Sequence, residues 1–197
     1  MMKNGIKLIA AFMLVAGTAC AEPIVKKLPE PVLEGGHPLM EVFKERKTVR
    51  KFSSRPLDDQ TLSEILWSAW GISHNGKRTI PTAKNEQNLK VYVIRSDGAW
   101  LYDAKDNALL RVSDKNLMPY FNQQNFMKAV PVNLLYTGSD AKYSPMHAGS
   151  AYQNVGLYAA DKGLHNVVRG YFDADGIKKA LNLQDGEEPL ISQAIGW

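Results

Sequence analysis

The sequence predicts an α+β fold, a helix-flanked mixed sheet that is largely antiparallel. Three observations point there. An apolar content of 45% over 197 residues is that of a packed domain and argues against disorder. Strand-like runs follow one another with no helix between them from residue 88 to residue 113, as "NLKVYVIRS", "AWLYDA" and "NALLRVS". Elsewhere helical and strand-like segments come in mixed order, not in the strict alternation of a doubly wound parallel sheet.

Lys3 and Lys7 flank the start of an apolar run from Leu8 to Val15, and Ala19-Cys20-Ala21 offers small residues at alternate positions. That pattern predicts a cleaved secretory signal over 1–21. The run is too short for a permanent span, which needs about 20 apolar residues. Lipidation of Cys20 is the alternative and ranks second, because Gly17 stands where a lipoprotein signal carries Leu or a similar aliphatic. The expected location is the periplasm, with membrane contact only if Cys20 is lipidated. Cleavage after Ala21 removes the one cysteine of the chain and with it disulfides, thiolate metal sites and Cys nucleophiles. Residues 22–37, rich in Pro and ending in Gly35-Gly36-His37, lack any helical or strand period and read as an extended arm. Residues 38–197 read as one domain.

Pro38 opens a short helix running to about Arg46. Asp58 caps a second, with Leu62, Ile65, Leu66 and Ala69 at helical spacing and Gly71 at its end. After the strand "NLKVYVIRS", Asp97-Gly98 predicts a tight turn into two antiparallel returns. Residues 114–129 read as helix, 131–137 as strand, 147–162 as a helix of small residues, 165–171 as strand, 173–182 as helix and 190–195 as the last strand.

Loss of Lys3 and Lys7 lowers the net charge from +4 to +2, so the chain is not built to coat a polyanion, and no nucleic-acid partner is expected. No GxGxxG, P-loop, GxSxG or HExxH motif occurs. His37, His74, His147 and His165 lack a ligand spacing, so no metal site is expected and each reads as a surface or packing residue. Asp58-Asp59 and Glu187-Glu188 are sequence neighbours that do not face each other, and both pairs read as caps.

The stretch "RKTVRKF", residues 46–52, is then a local concentration of charge needing a local explanation. Solvated lysines are one reading. The other is a phosphomonoester cradle, in which Arg forks onto two oxygens and a hydroxyl donates to a third. A second segment, Pro81-Thr82-Ala83 with Asn85 and Gln87, precedes the strand at 88. Together Arg46, Lys47, Thr48, Arg50 and Phe52, then Pro81 through Gln87, then "AGSAYQNVGLYAADKGLHNVVRGYFDADGIKKALNL" and "PLISQAIGW" resemble the nitroreductase family of flavin enzymes, in particular its thiazole-oxidase-like branch. The resemblance covers residues 38–197.

It implies a three-layer α/β/α sandwich and FMN as cofactor. Arg46 and Thr48, with Lys47, would hold the phosphate. Arg50 would approach the N1 and C2-carbonyl edge of the ring, Pro81-Thr82-Ala83 would present backbone to the ring with Asn85 orienting it, and Arg169 and Gly170 would lie beside N5. Phe52 reads as packing; Trp67, Trp70, Tyr152 and Tyr158 read as core or subunit contacts. The resemblance also implies a homodimer with two FMN sites at the interface, for which 147–162 is the expected contact helix. Family members usually continue past the last strand in an arm around the partner, and this sequence ends at Trp197, so weaker FMN retention is expected. Two electrons would pass between a donor, NAD(P)H or a local redox partner, and a small organic substrate such as a nitroaromatic or quinone, with no side-chain acid or base required. No catalytic residue is assigned. The alternative is an exported flavin- or ligand-binding module of the same fold without redox turnover.

Overall fold

The computed structural model describes residues 24–197; the expected signal segment and Cys20 lie outside them. Seven strands form one sheet: β1 (Val25–Lys27), β2 (Lys90–Arg95), β3 (Gly98–Asp103), β4 (Ala108–Ser113), β5 (Val132–Gly138), β6 (His165–Arg169) and β7 (Glu188–Gly196). Their order is β1-β4-β3-β2-β5-β7-β6, and every pairing is antiparallel. Four helices accompany them: α1 (Leu39–Glu45), α2 (Asp59–Trp70), α3 (Ser144–Asp161) and α4 (Ala174–Ala180).

Alternation along the strands divides the core in two. Val91 and Val93 of β2 join Leu134 and Tyr136 of β5 on one face, under Leu62, Ile65, Leu66 and Ala69 of α2 and Ala148, Ala151, Val155 and Ala159 of α3. Tyr92, Ile94 and Leu135 point the other way, toward Phe121, Met127 and Ile177 of α4. Both faces are therefore covered, and β5 is buried at every position, its polar Asn133 and Thr137 included. Each large aliphatic fully buried this way contributes about 1.5–3 kcal/mol. At the β2–β3 turn Gly98 has φ +140°, and a Cβ there would lie 2.5 Å from the Ser113 carbonyl oxygen, so only glycine fits beside the bulge at Ala99 and Trp100.

Three expectations are corrected. Residues 114–129 are not an α-helix but two 3-10 turns, Met118–Phe121 and Asn125–Ala129. Arg169 Nη1 donates to the Phe121 carbonyl and Asp173 N to the Tyr120 carbonyl, so tertiary donors occupy acceptors that an α-helix would use internally. The arm is not devoid of regular structure: Val25, Lys26 and Lys27 pair with Leu110, Leu109 and Ala108, Leu28 is buried, and the Pro29 carbonyl accepts from Ser63 Oγ and Asn107 Nδ2. Finally, Asp58 caps α2 by accepting from Thr61 N at 2.8 Å, but Glu187 is no cap. Its buried carboxylate accepts from Lys90 Nζ, Tyr92 Oη and Thr137 Oγ1, tying β2, β5 and the approach to β7.

Candidate functional site

The chain leaves α1 at Arg46 and runs along the outer edge of β6. Val49 N donates to the Asn166 carbonyl at 2.9 Å, the Lys51 carbonyl sits 2.5 Å from His165 Nδ1, and Ser53 N donates to the Trp197 carbonyl at 2.6 Å. The stretch is thereby fastened to the sheet, which orients its side chains. Among the described residues the ion pairs draw on Lys26, Lys27, His37, Lys90, Arg95, Lys162 and Lys178, and none on Arg46, Lys47 or Arg50. A fixed backbone with unneutralised cations suits an anion of more than one charge.

Arg46 is the half-buried member; Lys47, Thr48 and Arg50 are exposed. The Arg46 stem crosses α3 at Gly156, where a Cβ would lie 3.8 Å from Arg46 Cδ and 3.7 Å from Asn166 Oδ1. Lys47 faces a cavity of about 260 Å³ over the last turns of α3, together with Glu45, Val49, Ala160, Leu164 and Asn166. Asn166 is held from below: Tyr136 Oη donates to Gln193 Oε1 at 2.8 Å, and Gln193 Nε2 donates to Asn166 Oδ1 at 3.3 Å and to the Tyr152 carbonyl at 3.2 Å. This polar chain runs from the core to the underside of Arg46. Sequence reasoning missed Asn166; its signal was a carboxamide at the second position of the otherwise apolar centre of "HNVVR".

The second segment, residues 81–88, has an unusual backbone. Lys84, Asn85 and Gln87 all have positive φ, at 52°, 57° and 48°, which costs roughly 1–2 kcal/mol at Lys84 and at Gln87 and less at Asn85, whose short side chain tolerates it. Such a loop persists only where its surroundings over-determine it. Arg78 Nε donates to Gln87 Oε1 at 2.8 Å, and Gln87 Nε2 donates to Asn85 Oδ1 at 3.1 Å. Arg78 is itself seated by donating to the Trp70 carbonyl and lying 4.5 Å over the Trp70 ring. Burial lowers its pKa from the usual arginine range, with Tyr102 and Asp103 acting the other way to a smaller extent. At the other end of the loop Ala83 N donates to His147 Nε2 at 2.8 Å. Pro81 and Asn85 are exposed and Thr82 and Ala83 half-buried. The Ala83 N–H, expected to face a ligand, is thus committed to His147.

Arg169 ends the edge strand and Gly170 follows it. The Arg169 side chain is buried and fully engaged, donating to Gln124 Oε1, the Phe121 carbonyl and the Tyr171 carbonyl; burial lowers its pKa. It pins β6 to the 3-10 turns, so its side chain offers nothing to a ligand. Gly170 is exposed, and a Cβ on it would meet only Ile191 Cδ1 at 3.9 Å. Phe52 packs 6.1 Å from Phe126, as expected for core. Among the described residues no group of three His, Cys, Asp or Glu side chains could hold a metal ion.

The cationic stretch meets α3 at Gly156 beside Asn166 of β6, and the strained loop meets α3 at His147; nine residues make about two and a half helical turns, so the two lie on opposite flanks of the helix. His147 and Gly156 are nine residues apart on one helix, about 14 Å along its axis. The cationic stretch fits an anionic group, and the loop at residues 81–88 offers polar groups on the far flank of α3.

Comparison with known proteins is consistent throughout. The profile of the Nitroreductase family matches residues 43–197. A nitroreductase-like protein of Methanocaldococcus jannaschii is 28% identical over 180 residues, covering 80% of this chain and 90% of its own. A crystal structure of a nitroreductase-like protein from Ralstonia eutropha superposes with a TM-score of 0.82 at 32% identity, over 87% of this chain and 88% of the other. Another, from Desulfovibrio desulfuricans and in complex with FMN, superposes with a TM-score of 0.61 at 18% identity, over 82% of this chain and 87% of the other, a likeness of fold.

Proposed function

The chain belongs to the nitroreductase family, and from that premise we propose that it is an exported, FMN-dependent oxidoreductase of the thiazole-oxidase-like branch acting on a small organic substrate. The observation that carries this reading is the cationic stretch, clamped by Val49 N to the Asn166 carbonyl with Arg46 laid across Gly156. Arg46, Thr48 and Lys47 hold the FMN phosphate, and Arg50 supplies positive charge toward the ring. A fixed cation there favours the reduced, anionic flavin and raises its potential. The loop at Pro81, Thr82 and Asn85 meets the ring: with Asn85 Oδ1 accepting from Gln87, its Nδ2 is left to donate to a ring carbonyl. Gly170 lets the ring approach the end of β6.

FMN supplies the two-electron chemistry, and the chain's own residues bind, orient and tune it. The electron donor is NAD(P)H or a redox partner of the same compartment, and nitroaromatics and quinones are the acceptor classes proposed. The protein works as a homodimer that completes each site at the subunit boundary. Supporting this, α1 buries Val42 but leaves Leu39, Met40 and Phe43 61%, 76% and 49% exposed.

The test is an FMN titration of the mature protein followed by visible absorbance. A saturable yellow complex is expected, weakened about tenfold or more in Arg46→Ala, the loss of one charge-assisted contact, and less in Arg50→Ala. Photoreduction and mixing with a quinone or nitroaromatic should reoxidise the complex. Binding without reoxidation by any acceptor, oxygen included, would identify a flavin-binding module without turnover, and no binding at all would end the flavin reading.

A further inference from the structure

His147 is 4% exposed on the first turn of α3, whose other buried residues, Ser144, Ala148, Ala151, Val155, Gly156 and Ala159, are all small or aliphatic. Its Nε2 accepts from Ala83 N at 2.8 Å, so in the neutral ring the proton is on Nδ1. That Nδ1 is buried with no hydrogen-bond partner among the described residues. A buried donor without a partner is unfavourable, and an apolar residue at the same place would not carry it. The histidine therefore needs a reason outside packing, and the contact it makes supplies one.

Ala83 stands at the entrance of the loop whose Lys84, Asn85 and Gln87 have positive φ. The exit is held through Gln87 by Arg78, and His147 is the side-chain contact that holds the entrance. A one-point attachment leaves such a loop able to relax to ordinary backbone angles; a two-point attachment does not. We propose that His147 is a positioning residue, whose Nε2 locks the Ala83 N–H so that Thr82 and Asn85 are presented to the flavin in a preformed geometry. The assignment rests on the flavin reading of this loop given above. It also defines which groups of the loop remain available to a ligand: the Ala83 N–H is withdrawn, and the Asn85 carboxamide NH2 is released by the Gln87 contact.

The experiment uses the mature chain as wild type, His147→Gln and His147→Leu. Gln places an acceptor near the position of Nε2, whereas Leu has none. Amide hydrogen exchange is measured without FMN, and FMN affinity by titration. Expected is an Ala83 amide exchanging about tenfold or more faster in His147→Leu than in wild type, with FMN affinity weakened severalfold. Both should return toward wild type in His147→Gln, while the amides of β5 stay equally protected in all three. Faster Ala83 exchange with unchanged FMN affinity would overturn the proposal, as would Ala83 exchange that ignores the Leu substitution. If the β5 amides also exchange faster in His147→Leu, that variant has lost its fold and His147→Gln decides: protected Ala83 with lost FMN affinity overturns the proposal, and retention of both upholds it. Failure of the flavin reading itself looks different, since wild type then takes up no FMN, and the positioning role falls with it.

Discussion

Gly170 is exposed, its φ lies outside the left-handed region, and among the described residues Ile191 Cδ1 alone lies near where its Cβ would be. No contact among the described residues requires a glycine there. Gly170→Ala should therefore leave the melting temperature of the flavin-free protein unchanged or raise it, since a tolerated Gly→Ala change gains about 0.4–1 kcal/mol from the unfolded state. FMN affinity should fall nonetheless if Gly170 borders the proposed flavin site, because the added methyl group would stand in the path of the ring. A thermal melt without FMN beside a titration checks both halves, and unchanged affinity would remove Gly170 from the site. Its neighbour shows the limit of reading residues from sequence. Arg169 carries the same chemistry as Arg46, yet its guanidinium is spent on partners 48 and 45 residues away, Phe121 and Gln124. What separates a binding arginine from a structural one is long-range packing, invisible in local spacing. The same holds for His147, whose partner Ala83 is 64 residues distant.

At the scale of elements, α2 was the most legible piece, because its apolar period and its cap are both local. The Asp58 carboxylate accepts from Thr61 N and from Thr61 Oγ1, and the Thr61 N–H is the chief cause holding its pKa below the usual aspartate range. A carboxyl group depressed in the folded state stabilises above its unfolded pKa, near 3.9, and loses that contribution as pH falls through the folded value. Asp58→Ala should cost about 1 kcal/mol at neutral pH. Asp58→Asn keeps a capping acceptor without the charge, so its difference from wild type should shrink below about pH 4. Urea melts at pH 7 and pH 3 measure both, and an Asn variant whose deficit grows on acidification would contradict the cap. Residues 114–129 failed the same local reading for a physical reason. Their apolar residues Met118, Phe121 and Met127 do face one core cluster, as a helix would arrange, but the chain reaches that core in i→i+3 turns. The strand β1 was illegible because three residues carry no period, and its ladder to β4 spans more than eighty positions.

For the whole molecule, the antiparallel order was legible from the succession of elements, the three layers followed from the family resemblance, and the exposed apolar face beside α1 had no signal in the sequence. α1 packs on α3 through Val42 and turns Leu39, Met40 and Phe43 outward, and Val32 and Leu33 of the arm are 63% and 65% exposed. An apolar array of this kind is costly to leave in water and suits the core of a subunit interface. The proposed dimer makes two measurable statements that are linked. Met40→Glu places a charge in the apolar centre, and sedimentation should then find a monomer at concentrations where wild type is a dimer. If the partner completes the flavin site, that monomer should also bind FMN more weakly. By reciprocity FMN must then tighten the wild-type dimer by the same factor by which dimerisation tightens FMN. The monomer–dimer constant is therefore to be measured with and without saturating FMN. A Met40→Glu monomer with wild-type FMN affinity, together with a dimerisation constant indifferent to FMN, would place the whole site within one subunit.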